Sequence, residues 1–221
     1  MLIKYPRTYH LPWSPGTTKD DKILKSTEHF EGKRVIVTEK LDGENTTIAK
    51  GRIYARSVDS KDHPSRHWLK NTFGYLTNIL EEDIRICGEN VFAEHSISYK
   101  NLISYFYGFS IWENTKCLSW EETVENFFLF EYVTTELLVL NIPHVPVIYD
   151  GIWDEDTIRN IKIQQTEKGD MEGYVVRLAK SFSIEEFPVS VAKFVRAGHV
   201  QTDEHWLNKP VVKNKLIKGL R

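Results

Sequence analysis

Apolar residues in this chain alternate between two periods. The β-branched run Val35-Ile36-Val37-Thr38 makes residues 34–40 a strand, and 46–50 and 53–56 read as two more, joined in a hairpin at Gly51. Trp68, Leu69, Phe73, Leu76, Ile79 and Leu80 then recur at helical spacing, with Pro64 suited to the first turn. Strands are expected again over 84–93 and 105–112. Ser119 and Glu122 form a capping-box pattern that opens a short helix, and Asp154 precedes another running to about Ile163. Residues 173–178 and 189–195 supply the last strands. Strands and helices mixed without strict βαβ alternation predict an α+β domain with mostly antiparallel sheets. No internal repeat or low-complexity segment interrupts it; Ser14-Pro15-Gly16 and the stretch around Gly169-Asp170 are the linker candidates.

With 221 residues, 41% of them hydrophobic, the chain can bury one substantial core or a large domain with a small appendage. Cys87 and Cys117 are too sparse for a disulfide framework or a zinc site, and they read as reduced thiols of a cytoplasmic protein. The first residues carry no apolar signal core. The longest apolar stretch, 127–142, is broken by Glu131, Glu136 and Asn141, which argues against a membrane span. The net charge of −2 leaves no global electrostatic footprint for nucleic acid, so any such contact has to be local. Lys193, Arg196, Lys209, Lys213, Lys215, Lys218 and Arg221 form a basic tail, read either as a track for a phosphate backbone or as a solvated terminus. The Pro- and aromatic-rich start is extended; Arg7, His10 and Trp13 serve either packing across a sheet or contacts to a phosphate and a base. His199 and His205 are read as polar surface, or as substrate contacts.

Candidate chemistry centres on Lys40 in Glu39-Lys40-Leu41-Asp42-Gly43-Glu44-Asn45. A strand that ends in a lysine before a tight Asp-Gly turn holds an amine at a cleft edge, where it can act as a nucleophile; taken alone, the same pattern is an ordinary hairpin lysine. It is followed in order by Ala55-Arg56-Ser57, Gly88-Glu89-Asn90, Phe106-Tyr107-Gly108-Phe109, Glu172-Gly173-Tyr174-Val175-Val176-Arg177 and Val191-Ala192-Lys193-Phe194-Val195-Arg196.

This ordered set resembles the covalent nucleotidyltransferases, the superfamily of ATP-dependent ligases and capping enzymes. Within it the likeness is to the RNA ligase 2 branch, through Asn45 after the Lys-x-Asp-Gly core and through Gly88-Glu89-Asn90-Val91-Phe92-Ala93-Glu94-His95-Ser96-Ile97. The resemblance extends from about Tyr5 to Trp206. It implies two sheets flanking an ATP cleft, ATP with Mg2+ (or Mn2+) as cofactors, and sealing of RNA 5′-phosphate and 3′-hydroxyl ends, beside an end-healing kinase/phosphatase. By the same likeness Lys40 is the nucleophile, its basicity lowered by neighbouring cations, and Arg177 and Lys193 oppose charge on the reacting phosphate. Glu172 holds the metal, Arg56 meets a phosphate, Glu89 the ribose and Phe109 the adenine, while Glu39, Leu41 and Asn45 complete the nucleotide site.

Two departures qualify the likeness. Val191 stands where the family has a lysine, leaving Arg196 or Arg177 to supply the charge, or end-joining weaker than adenylation. Only 28 residues (194–221) follow Lys193, fewer than the roughly 50 of a compact domain, so residues 1–221 are expected to form a single catalytic domain without an oligonucleotide-binding barrel or helical domain, its tail serving as a cover. The alternatives are a DNA ligase or capping-type enzyme on the same core, or a non-catalytic module that binds nucleic-acid ends.

Overall fold

The computed structural model describes residues 2–59, 61–133, 139–163, 165–166, 169–198 and 210–218. In chain order its strands are β1 (Tyr9–His10), β2 (Arg34–Lys40), β3 (Glu44–Ala49), β4 (Arg52–Ala55), β5 (Ile84–Asn90), β6 (Phe106–Glu113) and β7 (Lys116–Cys117). They continue as β8 (Glu131–Val133), β9 (Val139–Asn141), β10 (Val147–Ile152), β11 (Gln165–Thr166), β12 (Gly169–Asp170), β13 (Gly173–Leu178), β14 (Phe182–Ser183) and β15 (Val191–Val195). The α-helices are α1 (His67–Phe73), α2 (Leu76–Ile79), α3 (Trp120–Leu129) and α4 (Glu155–Arg159).

Two sheets dominate: a five-stranded one ordered β1-β15-β13-β2-β10 and a six-stranded one ordered β14-β7-β6-β5-β3-β4. All their pairings are antiparallel except that of β1 with β15, as the α+β reading expected. β2 lies inside the first sheet with both faces covered: Val35 and Val37 join one apolar cluster and Ile36 another. An unbroken β-branched run is what such a strand requires. A third cluster packs Leu69, Phe73 and Leu76 of the helices on Ile48, Ile86, Phe106 and Ile111 of the second sheet.

Some expected elements differ. The helix foreseen across 68–80 is divided: a 3-10 turn (Pro64–Arg66), then α1, then α2 after Gly74. Gly74 is a weak helix former, and its carbonyl takes both the backbone N–H (3.1 Å) and the hydroxyl (2.7 Å) of Thr77, which restarts the helix. The helix after Asp154 stops at Arg159, four residues early. The strand foreseen over 189–195 begins at Val191, after a 3-10 turn at Phe187–Val189. Ser14-Pro15-Gly16 is no linker. The Val195 N–H donates to Ser14 Oγ (2.9 Å), Gly16 N–H donates to the Val195 carbonyl (2.9 Å), and a Cβ on Gly16 would stand 2.5 Å from the Arg196 carbonyl. Around Gly169-Asp170, β12 pairs antiparallel with β11.

The N-terminal stretch packs, with Tyr5 and Leu11 in the core and Trp13 Nε1 donating to Tyr174 Oη at 2.9 Å. The tail is neither frayed nor extended into solvent over 210–218, where it is hydrogen-bonded along residues 92–102. Lys213 lies over the rings of Phe92 and Tyr105. Lys209, Arg221, His199, His205 and Trp206 fall outside the described residues. Both cysteines are free and buried. Among the described residues no helix is long and apolar enough to cross a membrane.

Candidate active site

A cleft of about 390 Å³ opens between the two sheets. Strand register decides what faces it. Gly173 of β13 stands opposite both Lys40 of β2 and Val195 of β15, and Val175 stands opposite Lys193, so three neighbouring strands bring the two lysines to one wall. Gly173 has to be glycine here: a Cβ would lie 1.9 Å from the Phe194 carbonyl oxygen.

Nine of the ten residues singled out from sequence line this cleft: Glu39, Lys40, Leu41, Asn45, Arg56, Glu89, Phe109, Arg177 and Lys193. The tenth, Glu172, lies buried beside the nucleophile candidate, its Oε2 2.5 Å from Lys40 Nζ. Phe109 meets Tyr5 edge to face at 5.3 Å between ring centroids. Arg56 is steadied by a bond from its Nε to the Tyr5 carbonyl (3.2 Å). Asn45 Oδ1 is buried and accepts no hydrogen bond among the described residues.

The electrostatics reverse one expectation. Burial favours a neutral Lys40, but the carboxylates of Glu172, Glu89 and Asp42 outweigh it and hold the amine above its ordinary value. Lys40 is therefore an ammonium in the unliganded protein, and the neighbouring cations do not govern it. Lys193 moves the other way, lowered by burial first and by the Lys40 charge second; its Nζ lies 3.7 Å from Asp21 Oδ1.

Burial, reinforced by the carboxylates of Glu172, Asp42 and Glu44, pushes the Glu89 carboxyl up to about 8, against the pull of Lys40. Between the ordinary glutamate value of 4.5 and that value the folded protein keeps a proton that the unfolded chain releases. Stability must fall as pH rises through this window. Thermal unfolding of the ligand-free protein is expected to show a melting temperature several degrees lower at pH 9 than at pH 6. Glu89→Gln should flatten that slope; an equally steep slope in the variant removes Glu89 as its source.

Two cations expected at the phosphate are engaged by backbone carbonyls in this structure. Arg177 donates from Nε to the Leu178 carbonyl, from Nη1 to that of Phe109 (3.2 Å) and from Nη2 to that of Leu118 (2.8 Å), and it lies over the rings of Trp120 and Phe182. It braces the floor under Phe109. Arg196 donates from Nε to the Met171 carbonyl and does not line the cleft. Val191, which stands where the likeness expects a lysine, lines the cleft and packs in the apolar core.

Residues outside the motifs also contribute. Arg7 lines the cleft with its Nη1 on the Asp20 carbonyl, and Asp21 sits between Lys193 and the buried His10. The polar run holding Asp20 and Asp21 gave no signal, because its proximity to Lys193 arises only when residues 18–24 fold back on β1. Within the nucleophile motif, Asp42 also has a structural part. It is buried, and its Oδ2 accepts the Ser96 and Ile97 N–H groups at 2.7 and 2.8 Å.

A partly buried amine against a carboxylate, a second lysine on the same wall, an aromatic wall and an unsatisfied amide oxygen make a site for an anionic, ring-bearing ligand. Among the described residues no three His, Cys, Asp or Glu side chains form a ready metal cage. A divalent cation here would rest on Glu172 and on ligand phosphates, the sparse protein coordination that Mg2+ accepts.

No curated protein sequence matches the chain. Among solved structures, a Naegleria gruberi RNA ligase mutant with AMP and Mn superposes with a TM-score of 0.54 at 14% identity, covering 79% of this chain and 53% of that one. An archaeal ATP-dependent RNA ligase gives 0.54 at 18% identity, covering 88% and 48%. The chain thus spans about half the length of the ligases it matches, and the likeness establishes a shared fold. The family model for RNA ligase matches residues 33–195, from the strand that carries Lys40 to the one that carries Lys193, and the chain belongs to the RNA ligase family.

Proposed function

We propose that this chain is the adenylating domain of an ATP-dependent RNA ligase, with Lys40 forming a lysyl-AMP intermediate. The observation that carries the reading is the Lys40–Glu172 pair, partly buried at the cleft wall, with Lys193 two strands away in the same sheet. Similar solved ligases hold ATP or AMP with Mn, and a nucleotide with a divalent cation suits the donors found here.

In the first step the neutral amine of Lys40 attacks the α-phosphorus of ATP. A P–N bond forms, the bond to the bridging oxygen breaks, pyrophosphate leaves, and the amine proton passes to solvent. Lys193 opposes the charge that gathers on the transferring phosphate. Phe109 stacks on adenine, Asn45 and Glu39 accept from its polar groups or from the ribose, and Arg56 faces a phosphate. Glu172 is the residue that would hold a divalent cation, which would relieve the pairing of that carboxylate with the Lys40 ammonium and supply positive charge to the triphosphate. The AMP then moves to an RNA 5′-phosphate, and a 3′-hydroxyl displaces it. An enzyme that leaves 5′-phosphate and 3′-hydroxyl ends, such as a kinase/phosphatase, makes the substrate this reaction consumes.

The test is incubation with α-labelled ATP or GTP and Mg2+, followed by a denaturing gel and by transfer to nicked RNA or nicked DNA. Label on the protein from ATP alone and sealing of RNA are expected. Label from GTP alone would make it a capping-type enzyme, sealing of DNA nicks alone a DNA ligase, and no label from either nucleotide would remove the enzyme.

A further inference from the structure

We infer that Asn214, 174 residues from the nucleophile in sequence, is a positioning residue for Lys40 and acts through Tyr99 and the turn at Asp42. The inference rests on the lysyl-AMP reading above.

Residues 91–105 connect β5 to β6 with no strand of their own. Irregular chain that is partly buried must find partners for its buried backbone groups. Here they come from residues 212–217. Glu94 N–H donates to the Val212 carbonyl (2.7 Å), Leu102 N–H to that of Lys215 (3.0 Å) and Ile217 N–H to that of Leu102 (2.9 Å). Asn214 N–H donates to the Phe92 carbonyl (2.9 Å) and Lys215 N–H to the Tyr99 carbonyl (2.9 Å).

At the centre of this strap Asn214 is 2% exposed and uses every polar group it has. Its Oδ1 accepts the Tyr99 N–H (2.8 Å), and its Nδ2 donates to the carbonyls of Val91 (2.8 Å) and Ala93 (3.2 Å). Its own carbonyl accepts the Tyr105 hydroxyl (2.9 Å). A buried, fully satisfied network of this kind holds one geometry.

The far side of the same ledge meets the nucleophile turn. Tyr99 is 2% exposed, and its Oη accepts the Asp42 N–H at 2.9 Å. The Asp42 carboxylate returns bonds to the N–H groups of Ser96 and Ile97. Three hydrogen bonds therefore fix the turn two residues beyond Lys40 to a ledge that Asn214 clamps. Reaction rates depend steeply on the placement of a nucleophile, so loosening either end should slow the attack without changing the groups that bind ATP.

Single-turnover lysyl-AMP formation with α-labelled ATP separates positioning from mere stability. The labelled fraction counts folded sites, while the rate constant at saturating ATP reports how well the amine is placed. Tyr99→Phe removes one oxygen and keeps the ring; Asn214→Ala removes the clamp. Each is expected to lower the rate constant about tenfold, with the half-saturating ATP concentration within about twofold of wild type and the labelled fraction retained. Because both act along one path, the double variant should be no slower than the slower single one. Wild-type rate constants, a loss confined to the labelled fraction, or multiplicative effects in the double variant would each overturn the inference while leaving the lysyl-AMP reading intact. An unlabelled wild-type protein would remove that reading and this inference together. Should Asn214→Ala fail to fold, the Tyr99→Phe rate constant decides alone.

Discussion

Lys40→Arg protein is expected to take no label from α-labelled ATP, a loss of at least about 1,000-fold against wild type, because the reaction needs a lone pair that a guanidinium does not offer. The substitution is chosen to keep the positive charge beside Glu172, whose Oε2 is 2.5 Å from the lysine nitrogen. A buried carboxylate left without a partner would cost stability on its own account, and alanine would mix that effect with the chemical one. Arginine separates them: folding and ATP binding, read by the upward shift of melting temperature with ATP, should persist while covalent labelling vanishes. Lys40→Ala should likewise lose all label. A labelled arginine or alanine variant would place the nucleophile on another residue, with Lys193 the first to examine since it lines the same cleft.

The elements that bear the chemistry were legible where a local signal suffices. β2 runs over Arg34–Lys40 and β13 over Gly173–Leu178 as expected, since both are apolar runs bounded by turn residues. The Ser119–Glu122 capping box is present on both its bonds, because it involves residues three apart. The order of the motifs also foretold which residues share the cleft. Side-chain direction was not legible. Nothing in Glu-Gly-Tyr-Val-Val-Arg tells whether Arg177 turns toward a ligand or toward three carbonyls, and only the folded neighbours Phe109 and Leu118 decide it. The sign of the Lys40 shift was missed for a similar reason. Sequence places cations and carboxylates in one site, but the separations that rank them exist only in three dimensions. Residues 210–218 have no apolar period and find partners more than 100 positions away, so a pattern read along the chain could not distinguish a strap from a loose basic tail.

Glu172→Gln should move two properties of Lys40 in opposite directions. Among the groups that raise the amine, Glu172 comes first, and its carboxylate also bonds the ammonium directly. Replacing it with a neutral amide removes the first of the groups that raise the amine, so the lysine titrates at lower pH than in wild type and more of it is neutral near pH 8. In metal-free protein, acylation of Lys40 by an amine-selective ester, followed residue by residue by mass spectrometry, should be faster in the variant than in wild type. Lysyl-AMP formation should change the other way, slower by about 100-fold at low Mg2+, equivalent to about 2.7 kcal/mol of lost transition-state stabilisation. The amide oxygen is a weaker ligand for a hard cation, so added Mg2+ should recover only part of that loss. Wild-type labelling across a Mg2+ titration would remove the metal from Glu172, and unchanged acylation would show that this carboxylate does not set the basicity of the nucleophile. Faster acylation together with slower adenylation is the combination that requires both: a carboxylate that keeps the amine protonated until a cation competes for it, and whose charge the reaction then uses to hold that cation at the phosphate.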